Sequence, residues 1–141
     1  MKMKEIKNFK NNLVIYFTLV VISFSIERYF ISCNHSSPYT LSISFIHHMF
    51  AVYLYFGSFI FGFYLFNIVV GLLTLFGWYL FGNRCFLSIY YNKICNIDEK
   101  VQFHDIINLI NKFLHVPNLH YYILGIIFIY NLYHLCDYKK I

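Results

Sequence analysis

The chain has 141 residues, of which 60% are hydrophobic and 12% are charged, with a formal net charge of +5 and a mean hydropathy of +0.59. Soluble domains carry about 25% charged residues, so this composition excludes an ordinary water-soluble globular protein. Because only two arginines are present and no arginine-rich run occurs, we interpret the positive charge as a signal of membrane topology and not of nucleic-acid binding.

The N-terminal segment predicts the first membrane helix. Residues 1–12 are basic, and residues 13–31 form an apolar run that only Glu27 and Arg28 interrupt. A basic start followed by about 14 uncharged residues fits either a retained signal-anchor helix or a cleaved signal peptide. We favour the retained helix, because Glu27 and Arg28 can snorkel from a helix end and Tyr29 suits the interfacial aromatic belt.

Residues 32–40 are polar and contain Pro38, which predicts a short non-cytosolic loop. Asn34 lies in the glycosylation sequon Asn34-His35-Ser36. It would accept a glycan only if this loop is lumenal or extracellular.

The segment from residue 41 to residue 81 contains no Asp, Glu, Lys or Arg. As a single helix, at about 1.5 Å per residue, it would be about 60 Å long, whereas a bilayer core is only about 30 Å thick. We therefore predict two spans, at residues 41–61 and 67–81, with a turn between Gly57 and Asn67.

Residues 82–118 are the only sizeable segment outside the predicted spans. Residues 99–115 predict an amphipathic helix, with Asp98 as its N-cap and Pro117 as its stop signal. This helix either lies in the headgroup layer, grips a partner, or packs on the protein's own bundle. Its predicted apolar face consists of Val101, Phe103, Ile106, Ile107, Ile110, Phe113 and Leu114.

Residues 119–136 predict the last span, and residues 137–141 form a polar tail. Four spans place both termini on one side of the membrane, together with six lysines, while four basic residues lie on the longer opposite segment. The positive-inside rule then places both termini in the cytosol. The predicted fold class is all-α, a polytopic transmembrane bundle of four spans with one interfacial helix.

On this topology the histidines near the non-cytosolic side are candidate cofactor ligands. His47 and His48 lie about two turns below that surface, and His120 begins the last span on the same side. Histidine is a common haem and metal ligand, and ionisable groups inside a membrane suggest function. No CxxC or HxxxH pair supports a metal site, so haem between His47 or His48 and His120 is one hypothesis. The alternative is that these histidines form hydrogen bonds between packed helices.

The cysteines on the same side are disulfide candidates. Two of Cys33, Cys85 and Cys95 would pair in an oxidising lumen, and their spacing does not decide which two. Cys136 lies at the opposite end of the last span and cannot join them.

The sequence contains no recognisable catalytic set, such as a Ser-His-Asp group, a carboxylate pair or a phosphate-binding loop, and therefore does not predict an enzyme. Asn67 and Asn131 are amides within predicted spans. We expect them to form hydrogen bonds between helices.

The second predicted span carries His47, an aromatic residue three positions later and a glycine ten positions later. These two are Phe50 and Gly57. After the third span comes a turn and the run Cys85-Phe86-Leu87-Ser88, with Asn92 further on. Over roughly residues 41–135 these motifs resemble a family of small uncharacterised integral membrane proteins known mainly from bacteria.

In the family, the motif after this turn is Cys-Pro-Leu-Thr, followed by Glu-Asn. The chain departs from it where Phe86 replaces the proline and where Tyr91 replaces the glutamate. Phe103, Leu124-Gly125 and Asn131 are similar to later family positions. The function of the family is undefined, and the resemblance implies only a multi-pass architecture and a set of marked residues. These are His47, Gly57, Cys85, Leu87, Ser88 and Asn92.

Two functions are consistent with the sequence. The first is a structural or interaction component of a membrane, in contact with lipid and with other membrane proteins. The second is a membrane redox or haem-binding protein that uses His47 and His120. The abundance of Phe, Tyr, Ile, Asn and Lys is typical of an AT-rich genome, and a large DNA virus is one such source.

Overall fold

The computed structural model describes residues 3–31, 33, 35–98, 101 and 105–138, and within them the chain is all-α. These residues form six helices in a single bundle. The helices are α1 (Met3–Phe30), α2 (Pro38–Phe61), α3 (Tyr64–Leu80), α4 (Phe86–Cys95), α5 (Ile106–Leu114) and α6 (Leu119–Tyr138).

The central helix of the bundle is α2, which packs against α1, α3, α4 and α6. Half of its most apolar window is buried, whereas the corresponding shares are 22% for α1 and 17% for α6. The outer helices therefore present most of their apolar side chains to the surroundings.

Three helices, α1, α2 and α6, are long and apolar enough to cross a membrane. The sequence predicted four spans, but α3, which occupies the place of the third, has only 17 residues. At about 1.5 Å per residue it is about 26 Å long, slightly less than the roughly 30 Å of a bilayer core. Its length is limited by the turns that precede and follow it.

Local signals set the bounds of α2 and the turn after it. Ser37 and Thr40 form a capping box, and Pro38 occupies the first helical turn, so α2 begins three residues before the predicted span. At the other end Gly62 adopts a left-handed conformation with φ of 70°, which suits a glycine C-cap. The hairpin between α2 and α3 is therefore tighter than predicted.

The segment after α3 differs most from the prediction. The sequence indicated one helix at residues 99–115 capped by Asp98, but the chain forms α4 before it, and α5 begins only at Ile106. Asp105 is the N-cap, since its carboxylate accepts a hydrogen bond of 2.8 Å from the backbone N–H of Asn108. Residues 99, 100 and 102–104 lie outside the described residues.

A disulfide between Cys33 and Cys95 fastens the C-terminal end of α4 to the segment that follows α1. Both cysteines are buried with Ile43 and Tyr91 in a small apolar cluster. Asn92 donates hydrogen bonds to the backbone carbonyls of Asp98 and Val101, which fixes the chain after α4. As a result, α4 is fixed against the N-terminal part of α2.

The amphipathic helix α5 packs on the bundle with one face only. Ile107 is buried with Tyr55 and Leu124, whereas Phe113 is 78% exposed. The Lys112 ammonium lies 3.8 Å from the ring centroid of Phe30, at the end of α1. This helix covers the bundle and also leaves an apolar edge uncovered.

The predicted interhelical amides do meet in the bundle. Asn131 of α6 donates a hydrogen bond of 2.7 Å to the side-chain carbonyl of Asn67 on α3. Asn67 in turn donates to the backbone carbonyls of Tyr53 and Leu54 on α2. These bonds join three helices at one level, as polar groups do when they hold membrane helices together.

Candidate functional site

Two adjoining cavities lie where α2, α3 and α4 meet. The larger has a volume of about 240 Å³ and is lined mainly by apolar side chains, and the smaller has about 50 Å³ and a more polar lining. The two share five lining residues. They are His47, Tyr55, Trp78, Cys85 and Asp105.

The turn after α3 brings a cysteine to this place. Gly82, with φ of 63°, and Asn83 close a Schellman motif in which the Asn83 N–H bonds to the carbonyl of Trp78. The Tyr121 hydroxyl donates a hydrogen bond of 2.6 Å to the side-chain oxygen of Asn83, so α6 holds the turn in position. Cys85 follows as the N-cap residue of α4.

Cys85 and His47 form a thiol–imidazole pair. The Cys85 Sγ lies 3.4 Å from the Nδ1 of His47, which is within hydrogen-bond distance for sulfur. Burial raises the pKa of the Cys85 thiol above its usual value, while the backbone N–H groups of Leu87 and Ser88 act in the opposite direction. Cys85 is therefore a thiol at rest, and the Nδ1 of His47 is the imidazole nitrogen within hydrogen-bond distance of its sulfur.

Tyr55 places a hydroxyl at the junction of the two cavities. Its side chain is buried, and among the described residues none forms a hydrogen bond with that hydroxyl. Because Tyr55 lines both cavities, its hydroxyl is available to a ligand that enters them.

Asp105 is the acidic group at the same junction. Burial raises the pKa of its carboxyl, and the hydrogen bond from the Asn108 N–H partly offsets this. Compared with an ordinary carboxyl, it keeps its proton to a higher pH.

A second polar cluster lies between α1 and α2. The Oε2 atom of Glu27 lies 2.5 Å from the Nε2 of His48 and accepts a hydrogen bond of 2.5 Å from Ser44. The Nδ1 of His48 lies 2.8 Å from the Ser23 hydroxyl. The order Ser23–His48–Glu27 thus joins a serine, a histidine and a carboxylate, which are the residue types of a catalytic triad.

This cluster has no room for a substrate. Glu27 and His48 are 0% exposed and Ser23 is 1% exposed. The cavity beside Ser23 has a volume of about 10 Å³, enough for about one water molecule. We therefore assign the cluster to helix packing, and the prediction that Glu27 snorkels at a helix end is wrong, because its carboxylate points at α2.

The structure separates His48 from the other two predicted cofactor ligands. His48 points at α1, while His47 and His120 both line the small cavity of about 50 Å³. Pockets for drug-sized ligands start at about 300 Å³, and haem is larger than most such ligands, so this space does not fit it. His120 instead lies against Trp78, with ring centroids 5.0 Å apart.

The other predicted site residues have separate positions. Cys33 pairs with Cys95 and leaves Cys85 as a free thiol. Asn34 lies outside the described residues. Among the residues that the structure describes, no group of three or more His, Cys, Asp and Glu side chains is placed to hold a metal ion.

Sequence reasoning missed the contributions of α1 and α5 to these clusters. Ser23 and Glu27 are four residues apart, as are Ser44 and His48, so each pair lies on one helix face. This matching spacing was a signal for a polar contact between two helices. By contrast, no local pattern indicated that Tyr55 and Asp105 would meet beside Cys85.

Two residues marked by the family resemblance, His47 and Cys85, are in contact. Leu87 and Ser88 lie in the first turn of α4, and Asn92 fixes the chain after it. Gly57 lies under the ring of Tyr53, away from the cavity. No family model, no curated protein and no solved structure matches the chain, so the resemblance stays a prediction.

Proposed function

We propose that this chain is a multi-pass membrane protein that binds a single-chain amphiphile, an acyl chain with a carbonyl head group, at its non-cytosolic end. The paired cavities support this proposal, because an apolar space adjoins a polar one with hydroxyl, imidazole, thiol and carboxyl groups. A protein site for such a ligand is mostly apolar, with a few polar groups that fix its orientation.

We propose further that four helices lie in the bilayer, with both termini in the cytosol. The outward side chains of the outer helices and of α3 are large and apolar, as lipid contact requires. Examples are Val14 of α1, Leu73 of α3 and Ile129 of α6, all well exposed. The short α3 packs on α2 and α6 and crosses most of the bilayer core with them.

The size of the apolar cavity supports a single chain and not a two-chain lipid. At about 240 Å³ it lies just below the usual range for ligand pockets, about 300–1,000 Å³. Arg84 and Tyr55 both line it, so its mainly apolar wall also carries polar groups. A medium-length acyl chain with a polar head group fits a cavity of this size and lining.

Trp78 allows a direct test of binding, because it is the only tryptophan of the chain and lines both cavities. We expect 8-bromooctanoic acid to quench its fluorescence saturably in purified protein. Unlabelled octanoic acid should reverse the quenching by competition. The measurement is a fluorescence titration at constant detergent concentration.

Two glycines provide matched variants for this titration. Gly77 lines the cavity and has open space where a side chain would project, so Gly77→Leu should fill the cavity and lower the affinity at least tenfold. Gly125 on α6 has equally open space but lies outside the cavity, and Gly125→Leu should leave binding unchanged. Quenching that never saturates, or that is equal in both variants, would contradict the proposal.

A structural or interaction role is the second candidate function. It is favoured by the exposed apolar edge of α5, where Phe113 and Leu114 project from a helix that otherwise packs on the bundle. An edge of this kind suits contact with another membrane protein or with the headgroup layer.

A further inference from the structure

We propose that Cys85 is the nucleophile of an acyl-transfer site, which takes an acyl group from a thioester or an activated ester and holds it as a thioester. This inference rests on the proposed function, since the acyl chain would occupy the apolar cavity described above. It adds a covalent step that ligand binding alone does not require.

The cysteine and its base are already in position. The Sγ of Cys85 is 3.4 Å from the Nδ1 of His47, and both line the apolar and the polar cavity. With the imidazole proton on Nε2, the Nδ1 lone pair accepts the proton of the thiol. An adjacent general base is the usual way in which a buried thiol becomes a nucleophile.

Two kinds of hydrogen-bond donor lie near Cys85. The Tyr55 hydroxyl faces the cavity beside Cys85 without a partner among the described residues. The first-turn N–H groups of Leu87 and Ser88 lie near the sulfur at the start of α4, a helix of ten residues. Donors held in place before the reaction stabilise an oxyanion at little reorganisation cost.

The step balances without an oxidant or a reductant. The proton of Cys85 moves to the Nδ1 of His47, and the sulfur attacks the acyl carbonyl carbon to form a C–S bond. The tetrahedral intermediate collapses, and the bond between the acyl carbon and the leaving oxygen or sulfur breaks. The leaving group takes the proton from His47, so the products are acyl-Cys85 and a free alcohol or thiol.

The other cysteines cannot carry this reaction. Cys33 and Cys95 form the disulfide, and Cys136 is exposed near the C-terminal end of α6. Of the four cysteines in the chain, Cys85 is therefore the only free thiol next to a cavity and an imidazole.

The test is acylation of the full chain in detergent by p-nitrophenyl octanoate. In the Cys136→Ser protein we expect a burst of about one nitrophenolate per chain and a hydroxylamine-sensitive octanoyl group on the peptide that contains Cys85. Adding Cys85→Ser should abolish both signals. His47→Asn keeps a polar side chain but cannot take the proton, and should slow the burst at least tenfold, the lower part of the range for a general base.

Each outcome of this experiment either supports or overturns the proposal. An octanoyl group on another residue, or a burst that is equally fast in His47→Asn, overturns it. If His47→Asn does not fold, Tyr55→Phe decides, because loss of the hydroxyl should slow the burst at least tenfold while the aromatic ring stays. Saturable quenching by 8-bromooctanoic acid without acylation of Cys85 by p-nitrophenyl octanoate overturns this inference alone, whereas the absence of saturable quenching refutes the proposed function.

Discussion

The two adjacent histidines of α2 have different roles, because a shift of one position along a helix turns the side chain towards a different neighbour. Successive residues of a helix point about 100° apart, so His47 faces α4 and the cavities while His48 faces α1. His48 is enclosed by Ser23, Ser44 and Glu27, and it holds two helices together. His47 instead contacts a thiol beside open space.

The buried cluster between α1 and α2 should contribute measurably to stability. Glu27→Ala removes the acceptor of both Ser44 and His48 in a fully buried place, so we expect the free energy of unfolding to fall by about 3 kcal/mol. Ser23→Ala removes one hydrogen bond and should cost about 1 kcal/mol. Unfolding in mixed micelles, followed by circular dichroism, measures both changes.

Ser25 provides the matched control for this series. It lies on the same helix but is exposed, and its hydroxyl bonds only to the carbonyl of Val21 in its own helix. Ser25→Ala should therefore leave the unfolding free energy unchanged within about 0.5 kcal/mol. An equal cost at Ser23 and Ser25 would show that the cluster contributes nothing.

Among the helices, α4 is the element on which the candidate site depends. It begins with the site cysteine and ends with the disulfide cysteine, so the Cys33–Cys95 bond anchors one end of the helix that carries the site at its other end. Asn92 adds hydrogen bonds to the chain that follows. Because the two disulfide cysteines are 62 positions apart, the bond joins segments that are distant in sequence.

Removal of this disulfide should destabilise the protein and loosen α4. A cross-link over a loop of this length limits the unfolded chain, so Cys33→Ser/Cys95→Ser should lower the unfolding free energy by roughly 2–4 kcal/mol. Dithiothreitol should lower the melting temperature of the native protein in the same way. Cys136→Ser should keep the full response to dithiothreitol, and a native melting temperature that ignores the reductant would contradict this role.

At the scale of the whole molecule, the bundle separates a polar end from an apolar body. The loops at the end formed by α4, α5 and the start of α6 carry the site, whereas the outer faces of α1, α3 and α6 are apolar. A membrane is the environment in which such an exposed apolar surface is stable. In the membrane arrangement that we propose, the site would lie near one surface of the bilayer.

The threading of the chain can be tested directly. The protein should remain in the membrane pellet after alkaline carbonate extraction, because helices that span the bilayer are not released by charge disruption. Epitope tags placed before Leu13 and after Ile141 should be accessible from the same, cytosolic face, since the four membrane helices that we propose would return the chain to its starting side.

A tag between α1 and α2 serves as the control for this experiment. A tag inserted beside Ser36, between α1 and α2, should be accessible only from the opposite face. Release of the protein into the carbonate supernatant, or terminal tags that are accessible from opposite faces, would show that the threading is wrong.

The sequence by itself determined the helical class and the apolar segments, because composition and charge-free length act locally and need no partner. It also located the hairpin of α2 and α3 and both interhelical amides, Asn67 and Asn131. It misplaced the start of α5 and missed α4, a short helix that packs against α2 in the folded chain.

Only the tertiary structure decided which polar groups meet. The pairs Cys85–His47 and Glu27–His48 join residues 38 and 21 positions apart, and their contacts depend on the rotation of one helix against another. That rotation is set by the packing of whole helix faces and has no local signature along the chain. For this reason the sequence named His47 and Cys85 separately, and the fold made them one site.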